Sequence, residues 1–231
     1  MAFHACDPER TTTITVLPEV IIQRMTDTDF EKLLQNLRSC TLCSEHLPLE
    51  PKPIFQIAPS ARILIVGQAP GTKAHLSGQT FNDPSGDRLR SWLGFDRETF
   101  YDSQKIAIFP MGLCYPGRLQ KGGDKPPRPE CARLWRHQVI PALPNVQLTL
   151  LVGSYAQDWQ FGRGRVTDRV RHFRDFLPRF FPLPHPSWRT GLWEKQNPWF
   201  METVIPALRQ EVTRALTSPE ISRQSVQTQS H

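Results

Sequence analysis

A histidine held between two prolines is the first candidate for chemistry. In the stretch LPHPSWR, both prolines restrict the backbone of their neighbours, so His185 lies on a stiffened loop. A neutral imidazole held rigidly can donate one hydrogen bond to a developing negative charge. The polar types of Ser187 and Arg189 suit contacts with phosphates. Three apolar side chains that could insert into a base stack follow: Trp188, Leu192 and Trp193. The alternative is a surface histidine in a proline-rich turn.

Four of the five cysteines have a spacing that suits a metal centre. Cys40 and Cys43 form a C-x₂-C pair, Cys114 follows a predicted strand, and Cys131 opens a predicted helix. A zinc ribbon needs two close pairs, whereas one close pair with two distant members also suits an iron–sulfur cluster. Free core cysteines are the alternative, because unpaired cysteine is often buried. Cys6 has no evident partner.

A glycine-rich loop directly follows an apolar run. The run 63–66 ends at Gly67, in the sequence GQAPG, 67–71. This loop matches neither GxxxxGK[ST] nor GxGxxG, and Pro70 removes an N–H group that a phosphate-binding loop would use. The sequence therefore disfavours a kinase or a dehydrogenase. A tight turn that lets a flat ligand approach closely and an ordinary strand-to-helix turn both stay open.

Alternating strands and helices must position these residues. Apolar runs predict strands in four stretches: 63–66, 105–114, the start of 147–159, and the start of 179–189. Amphipathic or capped patterns predict helices in four stretches: 27–40, 87–95, 129–143 and 197–212. Asp27 or Thr28 would cap the first of these helices, and the second would end near Gly94. This order predicts an α/β fold, a three-layer α/β/α sandwich with a short, mostly parallel sheet. We expect a lead-in at 1–25, one domain at 26–212, and a polar, disordered tail at 213–231.

Charge and hydropathy narrow the partners and the compartment. The net charge of +6 suits a polyphosphate such as DNA, although an inert basic surface is the alternative. No apolar run approaches the roughly 20 residues that span a bilayer, and the first ten residues lack a signal-peptide pattern. We therefore expect no membrane association and a cytoplasmic location. We also expect a monomer.

Taken together and in chain order, these features resemble the uracil-DNA glycosylase superfamily, especially its iron–sulfur (family-four-like) branch. The loop 67–71 is similar to that branch's first motif, usually GEAPG, and the segment 78–89 is similar to its G-x-P-F-x-G-x-A-G segment. HPSWR, 185–189, is similar to the second motif, H-P-[SA], and the four cysteines fall where the cluster ligands fall. The resemblance covers roughly residues 30–210 and implies an α/β/α fold.

The resemblance also implies an activity: removal of a deaminated base, uracil or a related one, from DNA during base-excision repair. The nucleotide is flipped out of the duplex, Phe81 stacks on the base, and His185 stabilises negative charge on the base oxygen. A carboxylate stabilises the cationic sugar or orients water. The cysteines hold a structural 4Fe–4S cluster. The other residues implied at the pocket or at phosphates are Gly67, Ala69, Pro70, Gly71, Met111, Ser187 and Arg189.

Two positions depart from the family pattern. Gln68 stands where the branch usually carries Glu, and an amide can position water but cannot stabilise a cation as a carboxylate does. Asp83 is similar to an aspartate of a related branch and is our first choice for the carboxylate, with Asp87 second. Pro110 stands where the family usually has an Asn that reads the base, so uracil selectivity should weaken unless backbone groups near Met111 read it.

Two other functions compete with a glycosylase. A non-catalytic nucleic-acid-binding member of the same fold would keep the basic surface and the cluster while having lost the active site. An enzyme acting on a small molecule would have no affinity for DNA. For the cysteines, the alternatives to an iron–sulfur cluster are zinc or no metal.

Overall fold

In the computed structural model of the protein, which describes residues 25–218, four short apolar segments form one central sheet. The strands are β1 (Ile63–Val66), β2 (Ile106–Ile108), β3 (Leu148–Val152) and β4 (Phe180–Leu183). They lie in the order β2-β1-β3-β4, and every neighbouring pair is parallel. Because a parallel sheet is covered on both faces, its strands are almost continuously apolar. For this reason the apolar run 63–66 predicts a strand from the sequence alone.

Nine α-helices surround the sheet within the described residues. They are α1 (Asp27–Arg38), α2 (Thr72–Ser77), α3 (Pro84–Leu93), α4 (Arg97–Tyr101), α5 (Pro129–Val139), α6 (Ser154–Phe161), α7 (Val166–Arg171), α8 (Thr190–Gln196) and α9 (Ile205–Thr217). Short 3-10 turns occupy Ser44–His46 and Phe173–Phe176, and one π-helical turn, Phe200–Val204, leads into α9.

The helices form one layer on each face of the sheet. Ile63 and Ile65 of β1 face a core built with α3, α4, α7 and α9. Leu64 and Val66 face a second core built with α1, α5 and α6. Alternate side chains along β1 therefore pack into two separate cores, one on each face of the sheet. The predicted fold class, an α/β/α sandwich around a parallel sheet, is confirmed.

Several element boundaries differ from the sequence prediction. The strand expected within 105–114 ends at Ile108, and the following apolar residues, including Phe109, are buried in the second core as irregular chain. Apolar runs do not distinguish a strand from a buried loop. Thr26, rather than Asp27 or Thr28, caps α1, since its hydroxyl oxygen accepts a hydrogen bond from the backbone N–H of Asp29. The final helix extends to Thr217, beyond the boundary at 212.

Short helices were the elements that the sequence analysis missed. The helices α2, α4, α7 and α8 each have five to seven residues, too few for an amphipathic period to repeat. None of the helices within 25–218 combines the length and the hydropathy that crossing a bilayer requires. The expected lead-in at 1–25 lies almost wholly outside the described residues, as does most of the expected tail.

A buried glutamine joins the ends of β3 and β4. The side chain of Gln157 on α6 is fully buried, and its Nε2 donates to the carbonyl oxygens of Leu151 at 3.2 Å and Leu183 at 2.8 Å. A typical intramolecular hydrogen bond contributes about 0.5–1.5 kcal/mol to stability. Gln157 therefore fixes the strand end from which the His185 loop begins.

We predict that Gln157→Leu lowers the free energy of unfolding by about 1–3 kcal/mol, because it removes two buried hydrogen bonds, one to the Leu151 carbonyl and one to the Leu183 carbonyl. Urea denaturation followed by circular dichroism measures the change. Gln160→Leu, at an exposed position of the same helix, is the matched control and should change the stability by less than about 0.5 kcal/mol. Equal losses in the two variants would contradict the role given to Gln157.

Candidate active site

The loops that follow the four strands meet at one edge of the sheet. The chain after β2 is joined to the loop after β1, because the amide of Met111 donates to Gly67 at 3.0 Å and that of Gly112 to Gln68 at 2.9 Å. After β3, Gly153 has a φ of +86°, and a Cβ on it would lie 3.3 Å from the Cβ of His185. The His185 loop thus packs directly on the turn after β3. In open parallel sheets, this carboxyl edge is where ligands bind.

A cleft of about 560 Å³, including its open mouth, lies at this edge. Its walls include the whole loop 67–71, Phe81, Asp83 and His185. These residues, predicted from three separate motifs, are therefore brought together in space. Pro110 and Asp124 complete part of the wall.

The Phe81 ring lies against the first loop in a strained backbone conformation. Phe81 has a φ of +52°, which is uncommon for a residue with a side chain. A Cβ on Gly67 would lie 3.0 Å from the ring, and a Cβ on Gly86 would overlap the Phe81 carbonyl. Both glycines are therefore needed for the ring to adopt this position.

A buried arginine holds the Phe81 segment. Nη1 of Arg90 donates to the Phe81 carbonyl at 3.3 Å and to the Tyr101 hydroxyl at 3.2 Å, and that hydroxyl donates to the Thr80 carbonyl at 2.9 Å. Arg90 also pairs with Asp87, whose side chain is 73% exposed. Asp87, our second choice for the carboxylate, is therefore engaged outside the cleft.

Asp83 serves both the fold and the cleft. It is the N-cap of α3, and its Oδ1 accepts the amide of Gly86 at 2.9 Å. Its Oδ2 remains directed to the cleft, 4.0 Å from the point where a Cβ of Gly71 would lie. The amino end of a ten-residue helix favours the negative charge of this carboxylate.

The amide of Gln68 is tied to another segment. Its Nε2 donates to the carbonyl of Lys125 at 3.1 Å. This bond joins the first loop to the chain that carries Asp124. Gln68 lines the cleft, and this bond uses one of the two N–H groups of its amide.

Two opposing effects act on His185. Burial lowers its pKa, while the carboxylates of Asp83 and Asp124 partly offset that shift. Because the net direction is downward from 6.5, the imidazole is neutral at neutral pH. Burial also raises the pKa of Asp124, which Arg118 and His185 oppose.

Three residues expected to bind substrate lie outside the cleft. Met111 is buried and its N–H donates to the Gly67 carbonyl, so this N–H is not free to read a base. The Ser187 amide donates to the His185 carbonyl at 2.8 Å and closes the turn. Arg189 is exposed, with its guanidinium 5.1 Å from the centre of the Trp188 ring.

The four cysteines line one separate cavity. Two sulfurs accept hydrogen bonds at 3.4 Å, Cys131 from the amide of Leu113 and Cys40 from Nε1 of Trp135. Burial raises the pKa of Cys114 to about 11 and of Cys131 to about 12, so without a cation these thiols stay protonated. No three His, Cys, Asp or Glu side chains within 25–218 form a ready-made metal site.

The sequence analysis missed Asp124. Its position depends on a hairpin folding back over the first loop, and such a contact leaves no local pattern. The available signal was the dipeptide Gly122–Gly123 directly before it, which is typical of a tight hairpin turn.

The sequence model of the Uracil DNA glycosylase superfamily matches residues 54–209, which include every wall of the cleft. The chain belongs to this superfamily. Members of the uracil-DNA glycosylase superfamily are in general DNA glycosylases, so the family supports a glycosylase-like function acting on DNA.

We predict that His185 titrates below 6.5, because burial disfavours the imidazolium. Asp83→Asn should lower this pKa further, since it removes a negative charge that favours the cation. NMR titration of the imidazole resonances measures both values, with His185→Gln identifying the signal. A pKa above 6.5, or an upward shift in Asp83→Asn, would contradict the description of the cleft.

Proposed function

We propose that the protein is a DNA glycosylase of base-excision repair, which hydrolyses the N-glycosidic bond of a flipped, deaminated base. The observation that carries the proposal is the convergence of Phe81, Asp83 and a neutral His185 on one cleft in a uracil-DNA glycosylase superfamily member. An aromatic face, an anion and a neutral donor are the three groups that this reaction needs.

The chemistry follows from the positions of these groups. The base enters the cleft and stacks on Phe81, while the sugar stays at the mouth. As the bond from C1′ to the base breaks, its electron pair leaves with the base and the sugar becomes an oxocarbenium-like cation. His185 donates a hydrogen bond to the base anion, and Asp83 stabilises the cation. Water then adds to C1′ and releases a proton.

The surroundings of the cleft suit a DNA strand. Trp188 is 80% exposed and Leu192 is 66% exposed, on the loop and helix that follow His185. Apolar side chains of this kind can occupy the gap that a flipped nucleotide leaves in the base stack. The net charge of +6 favours phosphate contacts in the same complex.

The base is uracil or a related deaminated base such as hypoxanthine. Pro110 lines the cleft without a side-chain donor or acceptor, and the Met111 amide is already used. A site with few polar groups for the base edge rejects alternatives weakly. We therefore propose a broader base preference than that of a site with an asparagine at this position.

One observation favours a second function. Gln68 stands at the position where the iron–sulfur branch usually has a carboxylate, and its amide is bonded to Lys125. A protein of the same fold that binds nucleic acid without cleaving it would show salt-dependent affinity and no release of base.

We predict release of free base from single-stranded DNA containing uracil or hypoxanthine. His185→Ala and Asp83→Asn should each lower the single-turnover rate by roughly 10²-fold, the scale of losing one electrostatic group. Glu98→Gln, at an exposed position of α4, is the control and should keep the rate. Tight binding without release from any lesion of a panel would support the non-catalytic function instead.

We also propose that the four cysteines hold a structural 4Fe–4S cluster. Cys40 follows α1, Cys114 follows β2, and Cys131 lies in the first turn of α5, so the ligands would join three separate segments. The cysteine sulfurs and their N–H donors suit such a group. A thiolate-bound cluster would supply cross-linking rather than redox chemistry, since the hydrolysis transfers no electron.

We expect anaerobically purified protein to contain about four iron and four sulfide per chain. Cys131→Ser should lose the iron, because Cys131 is the buried ligand, whereas Cys6→Ser should keep it. Colorimetric iron and sulfide assays measure the contents. Stoichiometric zinc without sulfide, or wild-type protein without metal, would overturn the cluster.

A further inference from the structure

A small hairpin outside the motifs at 67–71, 78–89 and 185–189 carries a second carboxylate to the cleft. Arg118 and Asp124 pair as an antiparallel bridge, and the amide of Leu119 donates to Gly123 at 2.9 Å. Gly122 and Gly123 have φ values of +86° and +87°, which let the chain reverse within this short distance. Asp124 therefore stands at a defined place on the hairpin.

The hairpin places this carboxylate over the first loop. Oδ2 of Asp124 lies 3.3 Å from the point where a Cβ of Gly71 would be, beside Oδ2 of Asp83 at 4.0 Å from that point. Both carboxylates, together with His185, line the same cleft. A Cβ at position 71 would press on the Asp124 carboxylate, which would have to shift by a few tenths of an ångström.

Gln68 fastens the hairpin at its base. Its Nε2 donates to the Lys125 carbonyl, while the Lys125 amide donates to Gly117 at 2.8 Å. Both the N–H and the carbonyl group of Lys125, the residue directly after Asp124, are thus hydrogen-bonded. Gln68 cannot supply negative charge itself, but it fixes the segment that does.

The two carboxylates are held differently, which suits different tasks. One oxygen of Asp83 is committed to the amide of Gly86 at the start of α3, where negative charge is favoured. Asp124 has no helix end to stabilise its charge, and burial raises its pKa. A carboxylate with a raised pKa is the better proton acceptor.

We propose that Asp124 is a second catalytic carboxylate, which accepts the proton of the attacking water, and that Gln68 is the positioning residue that holds its hairpin. In this step, the water oxygen forms a bond to C1′ and one water proton passes to Asp124. The electron pair of the broken C1′–N bond is already on the base. Asp124 then gives this proton up and the base anion takes up one proton, so that one water is consumed and a neutral base and an abasic sugar result. This inference rests on the proposed glycosylase function.

Asp124→Asn tests the inference in the full-length protein, with uracil- and hypoxanthine-containing single-stranded DNA as probes. The expected result is a roughly 10²-fold lower single-turnover rate with no loss of DNA affinity, because the variant removes a negative charge near the phosphates. Asp175→Asn, at an exposed position far along the chain, is the matched control and should keep the wild-type rate.

Gln68→Leu separates positioning from chemistry. Its rate should fall less than that of Asp124→Asn, and amide exchange of residues 118–125 should become faster, while Asp124→Asn itself leaves this exchange unchanged. In the double variant the rate should equal that of Asp124→Asn alone, since the hairpin then has no carboxylate to position.

Three outcomes overturn the inference in distinguishable ways. If wild-type protein releases base and Asp124→Asn keeps the rate within about threefold, Asp124 is not catalytic, and the glycosylase function stands. If Asp124→Asn weakens DNA binding or unfolds at a lower temperature in step with its lost rate, the residue is structural. If wild-type protein releases no base, the proposed function and the role of Asp124 fail together.

Discussion

The shared edge at which four parallel strands end is the constraint on which the rest of the structure depends. Every loop that leaves this edge must satisfy its own backbone groups beside buried neighbours. The chain after β2 therefore donates its amides to the loop after β1, and Gly153 leaves room for His185 above β3. The cleft exists because these loops meet at one place.

The electrostatics of the cleft come from a balance between burial and charge. Burial disfavours the imidazolium form of His185, and two nearby carboxylates favour it. The net result is a neutral donor beside negative charge, which suits the proposed reaction, in which breaking one bond forms an anion and a cation. Burial sets the neutral state of the imidazole, since the net shift of its pKa is downward, and the carboxylates supply the negative charge beside it.

The sequence was most informative where chemistry and local structure coincide. The strand 63–66 was predictable because a parallel strand that is buried on both faces is continuously apolar. Its loop was predictable because the glycines and the proline of GQAPG directly follow that run. Asp83 was found from its motif, although its task as the cap of α3 was not. The family match across 54–209 confirms the superfamily, while the iron–sulfur branch stays a proposal.

Long-range contacts were beyond the reach of sequence patterns. Nothing around Gln68 indicates that its amide meets Lys125, 57 positions later, and nothing around Asp124 indicates that a hairpin folds over Gly71. The strained φ of Phe81 depends on Gly86 and Arg90, which act through space. The residues that adjust the site are thus set by tertiary packing, whereas those that define it follow from motifs.

The most direct measurement of the central claim is single-turnover reaction of the wild-type protein with deaminated-base DNA in ¹⁸O-labelled water, followed by mass spectrometry of both products. Attack of water on C1′ predicts one ¹⁸O in the abasic sugar and none in the released base. Intact DNA, or ¹⁸O on the base, would contradict a glycosylase at this cleft.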